Sequence, residues 1–476
     1  MDWLPDGHLA YFVLELVREL DVSAIESAIQ RKDARGVRPY SPRMMSALLL
    51  YAYSVGVFSS RKIERATYQD VAFRVLAGGE HPHFTTVNAF RLEHRDALSG
   101  LFVQVLKLCA RAGLKTVGHV ALDGSKVQAN ASKHKAMSYG RMKDEEKRLA
   151  AEIEALLFRA DQTDQSEDQQ YGQGQPAEDL PQEFQRRDDR LRRIREAKAA
   201  LEKQAAQARA AELREMAAAQ RQRGELAANP TLRKRAATGA AKSEQQADEL
   251  SSPHDDDDDA DGGSGASALP SHRVATTPQG EPTDKAQRNF TDPDSRIMVR
   301  NGVFLQAYNA QAAVSESQVI VAHALTNQPP DQEHLVPMLE RMRNNLGCLP
   351  EVLTADTGYL SEGNIAYCES NKVDAYIAVR RKDDDGAELG CLPMSRAREV
   401  RWRMHQKVTS AKGREIYRRR KLLAEPVFGQ IKQALGFRQF SLRGLTKVAA
   451  EWGIVCLCHN LLKLYRAVGS MGVLAS

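Results

Sequence analysis

The chain has 476 residues, 42% of them hydrophobic, with a formal net charge of +5, so it can bury a sizeable core across about two to four domains and is not one small module. The six cysteines, Cys109, Cys348, Cys368, Cys391, Cys456 and Cys458, form no CxxC pair and no regular spacing, which argues against a disulfide framework or a zinc site and for a reducing, cytoplasmic setting. The opening Met-Asp-Trp-Leu-Pro-Asp lacks a basic and an apolar region, and the uncharged stretch from Met44 to Ser60 is short and carries Ser46, Tyr51, Tyr53 and Ser54, so neither a signal peptide nor a membrane partner is expected.

Up to about Gly113 apolar residues recur at helical spacing, through Tyr11 to Leu20, Met44 to Val57 and Leu101 to Cys109. Ser59 and Ser60 can cap a helix carrying Arg61, Lys62 and Arg65, Gly78-Gly79 breaks a second helix, and Thr85 or Thr86 opens a third. This succession reads as a possible helix-turn-helix. On its third helix Asn88, Arg91 and Arg95 fall at i, i+3 and i+7, a face suited to DNA contact, with an ordinary bundle bearing a solvated face as the alternative.

Val117 to Leu122 reads as a short buried strand running into Asp123-Gly124-Ser125-Lys126. Tyr139 to Arg159 and Gln182 to about Gln222 are amphipathic and suggest an antiparallel helical hairpin, or coiled coil. Ala227 to Lys285 offers little to bury and includes the acidic run Asp255 to Asp259, so disorder is expected through most of it. Phe304 to Val314 and Gln318 to Leu325 read as a β-hairpin after a turn at Arg300-Asn-Gly302. A helix at Leu335 to Asn345 follows, then a strand, Glu351 to Ala355, that ends in Asp356, a helix capped by Ser361, and a fifth strand at Val373 to Val379. From Ser395 to Arg466 the pattern is helical. Between Ser395 and Lys447 there are fifteen Lys or Arg against three Glu, a surface suited to a phosphate backbone.

The expected divisions are a helical, DNA-binding 1–113, the first part of an α/β domain at 114–138, an inserted hairpin at 139–226, a low-complexity segment at 227–288, the rest of the α/β domain with basic helices at 289–466, and a tail at 467–476. Adjacent strands can set Asp123 beside Asp356, and a helix across the sheet can present Glu425. Carboxylates so placed repel unless cations sit between them, the basis of Mg²⁺ binding. Two ions about 4 Å apart suit an in-line phosphoryl displacement.

These residues resemble the DDE transposases of bacterial insertion sequences. The resemblance rests on Ala121-Leu-Asp-Gly-Ser-Lys126, Asn289-Phe-Thr-Asp-Pro-Asp-Ser-Arg296, Tyr308-Asn-Ala-Gln311, Ala355-Asp-Thr-Gly-Tyr359 and the run from Tyr417 to Lys432, all in order. It implies an RNase H-like mixed five-stranded sheet flanked by helices, preceded by an all-α domain and interrupted by a helical insertion. It further implies a catalytic and metal-binding triad of Asp123, Asp356 and Glu425, holding Mg²⁺, or Mn²⁺, as two ions. The family's Tyr, Arg, Glu, Lys signature falls on Tyr417, Arg420, Glu425 and Lys432; the commonest spacing puts the Arg where Lys421 stands, so Arg420 and Lys421 both remain candidates for DNA contact. Lys126 is a further candidate for phosphate. The implied partners are terminal inverted repeats and target DNA, met by a homo-oligomer in the bacterial nucleoid; a relic that only binds DNA is the alternative.

The plainer readings are that Asp123-Gly and Asp356-Thr-Gly are turn dipeptides, that Asp292 and Asp294 form an ordered turn, and that His119, Trp452, Cys456, Cys458 and His459 are core residues. Pro426 places Glu425 at a kink or a helix start.

Overall fold

The computed structural model describes residues 3–31, 39–171, 182–251, 269–379 and 396–474; the acidic run at 255–259 and Cys391 lie outside them. The chain divides into two compact units: 1–130 with 263–271 and 297–476, and 131–262 with 272–296. The N-terminal helices therefore belong to the same compact unit as the main sheet.

Helices α1 (Leu9–Glu19), α2 (Ser23–Gln30), α3 (Pro42–Ser54), α4 (Ser60–Gln69), α5 (Val71–Leu76), α6 (Phe84–Glu93) and α7 (Arg95–Arg111) come first. Ser41 caps α3, with Pro42 in its first turn, and the helix is buried from Met45 to Ser54. Asp70 caps α5 by accepting from the amides of Ala72 and Phe73, and α6 is capped by His83 rather than by Thr85 or Thr86. Among the described residues no helix is long and apolar enough to cross a membrane.

Strand β1 (His119–Gln128) does not stop at Asp123 as expected from the run of apolar residues. It continues because strand β5 (Val303–Ser315) pairs with it as far as Gln128 and supplies ladder hydrogen bonds whatever the side chains.

The second unit begins with β2 (Ala136–Ser138), followed by α8 (Tyr139–Tyr171), α9 (Gln182–Leu226), α10 (Pro230–Leu250) and β3 (Gln287–Asn289), which pairs antiparallel with β2. Met142 and Leu149 of α8 share one buried cluster with Leu191, Ile194 and Leu201 of α9. Helix α10 corrects the expectation of disorder over its residues. Asn229 caps it through the Thr231 amide, with Pro230 following. Its alanines permit close approach: Ala240 and Ala247 are fully buried, and a Cβ on Gly224 of α9 would stand 2.9 Å from that of Ala236. Ion pairs Arg221–Glu244 and Arg214–Asp248 tie the two helices at the surface. Low hydrophobicity concealed a helix that packs through small side chains.

The main sheet contains β1, β4 (Arg296–Arg300), β5 (Val303–Ser315), β6 (Ile320–Thr326), β7 (Val352–Ala355) and β8 (Asp374–Ile377). Their order is β4-β5-β1-β7-β8, with β6 also paired to β5. Strands β1, β5 and β6 form an antiparallel meander, and β7 and β8 extend it in parallel. This mixed α/β arrangement is RNase H-like, with one strand more than expected. The additional strand, β4, precedes the Arg300-Asn-Gly302 turn; its Ile297-Met298-Val299 core does not alternate, so the segment carried no strand signal.

Helices α11 (Leu335–Leu346), α12 (Glu362–Ser370), α13 (Arg396–Thr409), α14 (Ala411–Gly429) and α15 (Leu445–Val468) complete this unit. Every residue of α15 from Glu451 to Leu462 is buried. Trp452 donates to the Gln311 carbonyl, and Asn460 holds both backbone groups of Ile320 at the start of β6. Burial pushes the Cys458 thiol up to about 12, so it behaves as a small hydrophobe in the core, as does Cys456 beside it.

Candidate active site

The parallel register of β1 and β7 runs from His119 opposite Val352 to Leu122 opposite Ala355. The next residue on each strand is an aspartate, so the ladder itself delivers Asp123 and Asp356 side by side. Strand β7 ends there, and the Asp356 carboxylate accepts from the Gly358 amide at 2.8 Å to open a short turn, Thr357–Tyr359. Asp123 Oδ1 accepts from the Gly124 amide at 3.0 Å.

Helix α14 lays Arg420 across this pair. One guanidinium nitrogen, Nη2, lies 3.1 Å from Asp123 Oδ1 and 3.8 Å from Asp356 Oδ2. Burial pushes the Asp123 carboxyl up to about 6, against the pull of Arg420, and Asp356 and Asp331 add to the rise. Tyr417, one turn before Arg420, is half-buried; burial raises its phenol, and Asp356 and Asp123 raise it further against Arg420. Beyond α14 the helix widens into a π turn, Gln430–Ala434. There Lys432 donates to Ser125, which shares a face of β1 with Asp123. Burial, with Arg300, brings the Lys432 ammonium down to about 8 against the pull of Asp123.

The structure thus gathers Asp123, Asp356, Tyr417, Arg420 and Lys432. Glu425 stands exposed on α14, a little over one turn beyond Arg420, and Lys421 is exposed as well. Among the described residues no three His, Cys, Asp or Glu side chains are grouped to hold a metal ion. The fit to a divalent cation rests on two carboxylates converging on a single cationic nitrogen, where each already tolerates a positive charge.

Pro426 lies inside α14, so Glu425 is not at a helix start. A proline lacks the amide that would pair with the carbonyl four residues earlier. That carbonyl, of Leu422, accepts instead from Gln318 Nε2 at 2.9 Å. Gln318 sits in the β5–β6 turn with a φ of 58° and is itself held by Lys463 and His459 of α15.

Several sequence expectations change. Arg91 does not face solvent: it is 4% exposed, donates to the Tyr53 hydroxyl at 2.6 Å and to Asn88 at 2.8 Å, and lies 3.7 Å from buried Glu451. Helix α6 ends at Glu93, so Arg95 opens α7 and the three residues share no helix face. An arginine surrounded by polar partners inside the protein looks, in sequence, like one on a solvated stripe. The exposed cations nearby are Arg61, Lys62 and Arg65 of α4. Lys126 is likewise engaged, donating to the Pro329 carbonyl at 2.8 Å and to Asp331 at 3.2 Å.

Asp331, in the loop between β6 and α11, was not singled out by sequence. It accepts from Asn309 at 2.6 Å, from Gln311 at 2.8 Å and from Lys126. A polar run, Asn327-Gln-Pro-Pro-Asp331, stationed between a buried strand and a helix was the available signal.

The raised Asp123 carboxyl sets a pH prediction. Its folded value near 6 exceeds the ordinary 3.8, so the fold favours the protonated acid, and that stabilisation, complete below pH 3.8, is lost as pH rises through 6. In EDTA, Asp123→Asn is therefore expected to be more stable than the unmodified chain at pH 8, by at most about 3 kcal/mol, and no more stable at pH 4. Denaturant titrations at the two pH values measure this; a gain of equal size at both would contradict it.

A model of the family described as Transposase DDE domain matches residues 278–461, and one described as Transposase domain (DUF772) matches residues 1–93. No curated protein and no solved structure matches the chain. Strand β1 and Asp123 fall between the two matched stretches, so Asp123 joins the site through its pairing with β5 and β7.

Proposed function

The chain belongs to the DDE transposases of insertion sequences, and from that premise we propose that it cuts DNA at the ends of a mobile element and joins the freed 3′ ends to target DNA. The observation that supports this most is the ladder-delivered pair Asp123 and Asp356, converging on one cationic nitrogen of Arg420.

Asp123 and Asp356 would hold divalent cations, Mg²⁺ with Mn²⁺ as substitute, and Glu425 would complete the set from α14. Bound there, the ions supply activation of the attacking oxygen and stabilisation of the leaving one. The protein's own part is positioning. Arg420, released from the carboxylates once other cations neutralise them, is placed to bind the phosphate being cut. Tyr417 and Lys432 flank the same point, and Lys432 would donate to phosphate while Ser125 orients it. Exposed Lys421 with Lys412, Arg414 and Arg418 of α14 offers charge to the adjoining backbone. A second copy of the chain would serve the second element end.

The test is a labelled duplex carrying the element's terminal repeats, incubated with the purified chain in Mg²⁺ or in EDTA. Nicking at the repeat ends in Mg²⁺ alone, with DNA retained in both buffers, is expected. Binding without nicking in Mg²⁺ and Mn²⁺ would instead identify a DNA-binding relic.

A further inference from the structure

We infer that Asp331 is a positioning residue of the proposed metal site, a wedge that sets how closely the backbones bearing Asp123 and Asp356 approach each other. This rests on the reading of those two aspartates as metal ligands.

Both aspartates are followed by a glycine, Asp123-Gly124 and Asp356-Thr-Gly358, and the plain reading of each is a turn. Neither glycine adopts the left-handed conformation that would require it. Both stand where a side chain would be crowded, and Asp331 is a neighbour common to the two. A Cβ on Gly124 would stand 3.0 Å from Asp331 Oδ1 and collide with the Gln311 amide; a Cβ on Gly358 would stand 3.3 Å from Asp331 Oδ2 and 3.0 Å from Asp356 Oδ1. One carboxylate therefore borders, with one oxygen at each, the space that a side chain at either glycine would need.

The wedge is itself fixed. Asn309 and Gln311 of β5 and Lys126 of β1 donate to it, and His334 Nδ1 lies 3.6 Å away. Gln311 also accepts from the Tyr359 hydroxyl, closing the network onto the turn that Asp356 opens. Burial would push the Asp331 carboxyl up, but His334, Lys126 and Asn309 outweigh it and hold it down at about 2. The acid is thus held as an anion, and its Oδ1 is committed to three donors, which suits a fixed spacer.

The network lies on the β1 face opposite Asp123, since Gly124 and Lys126 alternate with Asp123 and Ser125. Its effect on a cation would act through the backbone, together with the charge that already reaches Asp123. Asp331→Asn removes the charge while its carbonyl oxygen, in the place of Oδ1, can keep all three donors, and Gly358→Ala crowds the Oδ2 side of the gap, meeting Asp356 Oδ1 as well, without changing charge.

The experiment is Mn²⁺ titration followed by electron paramagnetic resonance, on the full chain and on both variants, with thermal melting of each and with Asp123→Asn as the site control. We expect at least a tenfold rise in the Mn²⁺ concentration for half-saturation in both variants, at melting temperatures near that of the unmodified chain. Unchanged Mn²⁺ binding in either variant overturns the wedge while leaving the metal reading intact. So does weakening that merely tracks unfolding in both. Failure of the unmodified chain to bind Mn²⁺, or equal binding by Asp123→Asn, overturns the metal reading and the wedge with it.

Discussion

Glu425→Gln is expected to leave the chain folded and able to hold DNA while cleavage falls on the order of a thousandfold, equivalent to about 4 kcal/mol of lost transition-state stabilisation. The two halves of this expectation have separate sources. Folding should survive because Glu425 is exposed and its neighbours Ala424 and Leu423 carry the buried face of α14. Cleavage should fail because two aspartates supply too few oxygens for a pair of cations, and α14 is the element that already crosses them through Arg420. Asp123→Asn should match the loss. Nicking rates on an end-containing duplex, set beside gel retardation with the same duplex, measure both halves. A Glu425→Gln chain that nicks within tenfold of the original rate would remove this residue from the site and direct attention to the remaining acids around Asp123.

The second large effect concerns stability. Glu451→Ala is expected to cost about 3–5 kcal/mol, the scale for breaking a buried ion pair by removing one partner. Glu451 is fully buried in α15, where its carboxylate accepts from the amides of Ser441 and Leu442, from the Ser441 hydroxyl and from Tyr53 at 3.2 Å. Arg91 completes the set from α6. Removing the acid strands two backbone amides and an arginine away from water. Denaturant unfolding measures the cost. Pairing Glu451→Leu with Arg91→Met should recover part of it, because no lone charge is then left inside; a double variant as unstable as the sum of the singles would show that the two residues act independently.

The site was partly legible before the fold was known. Asp123 and Asp356 each follow a short apolar run, and a carboxylate that ends such a run stands where neighbouring strands can bring it to a partner. The reading erred on extent, because the five further residues of β1 are held by ladder bonds that no side-chain pattern announces. Arg420 and Lys421 could not be ranked from spacing; one residue on a helix turns a side chain by about 100°, and the buried face of α14 settled which one meets the acids. Asp331 escaped notice because its role depends on two glycines far apart in sequence. Arg91 was misjudged for the opposite reason: helical spacing puts it on a polar stripe, and only the arrival of α15 makes that stripe an interior. The α10 segment was hidden by composition, since alanine carries little hydrophobic signal yet permits two helices to close in on each other.

Strands β1 and β5 are antiparallel neighbours from Val120 opposite Ser315 to Gln128 opposite Ala307, a relation that a few turn residues could serve. In their place the chain inserts a folded body of its own. Closing a loop grows only slowly more costly with its length, by about 0.6 kcal/mol per doubling, and a compact unit with contacts of its own asks little of the ladder at its ends. Descendants of this sheet can therefore acquire, enlarge or discard whole modules between Asn130 and Arg296 while the pairing that sets Asp123 beside Asp356 stays in register, so the chemistry and the accessory body are free to evolve on separate schedules.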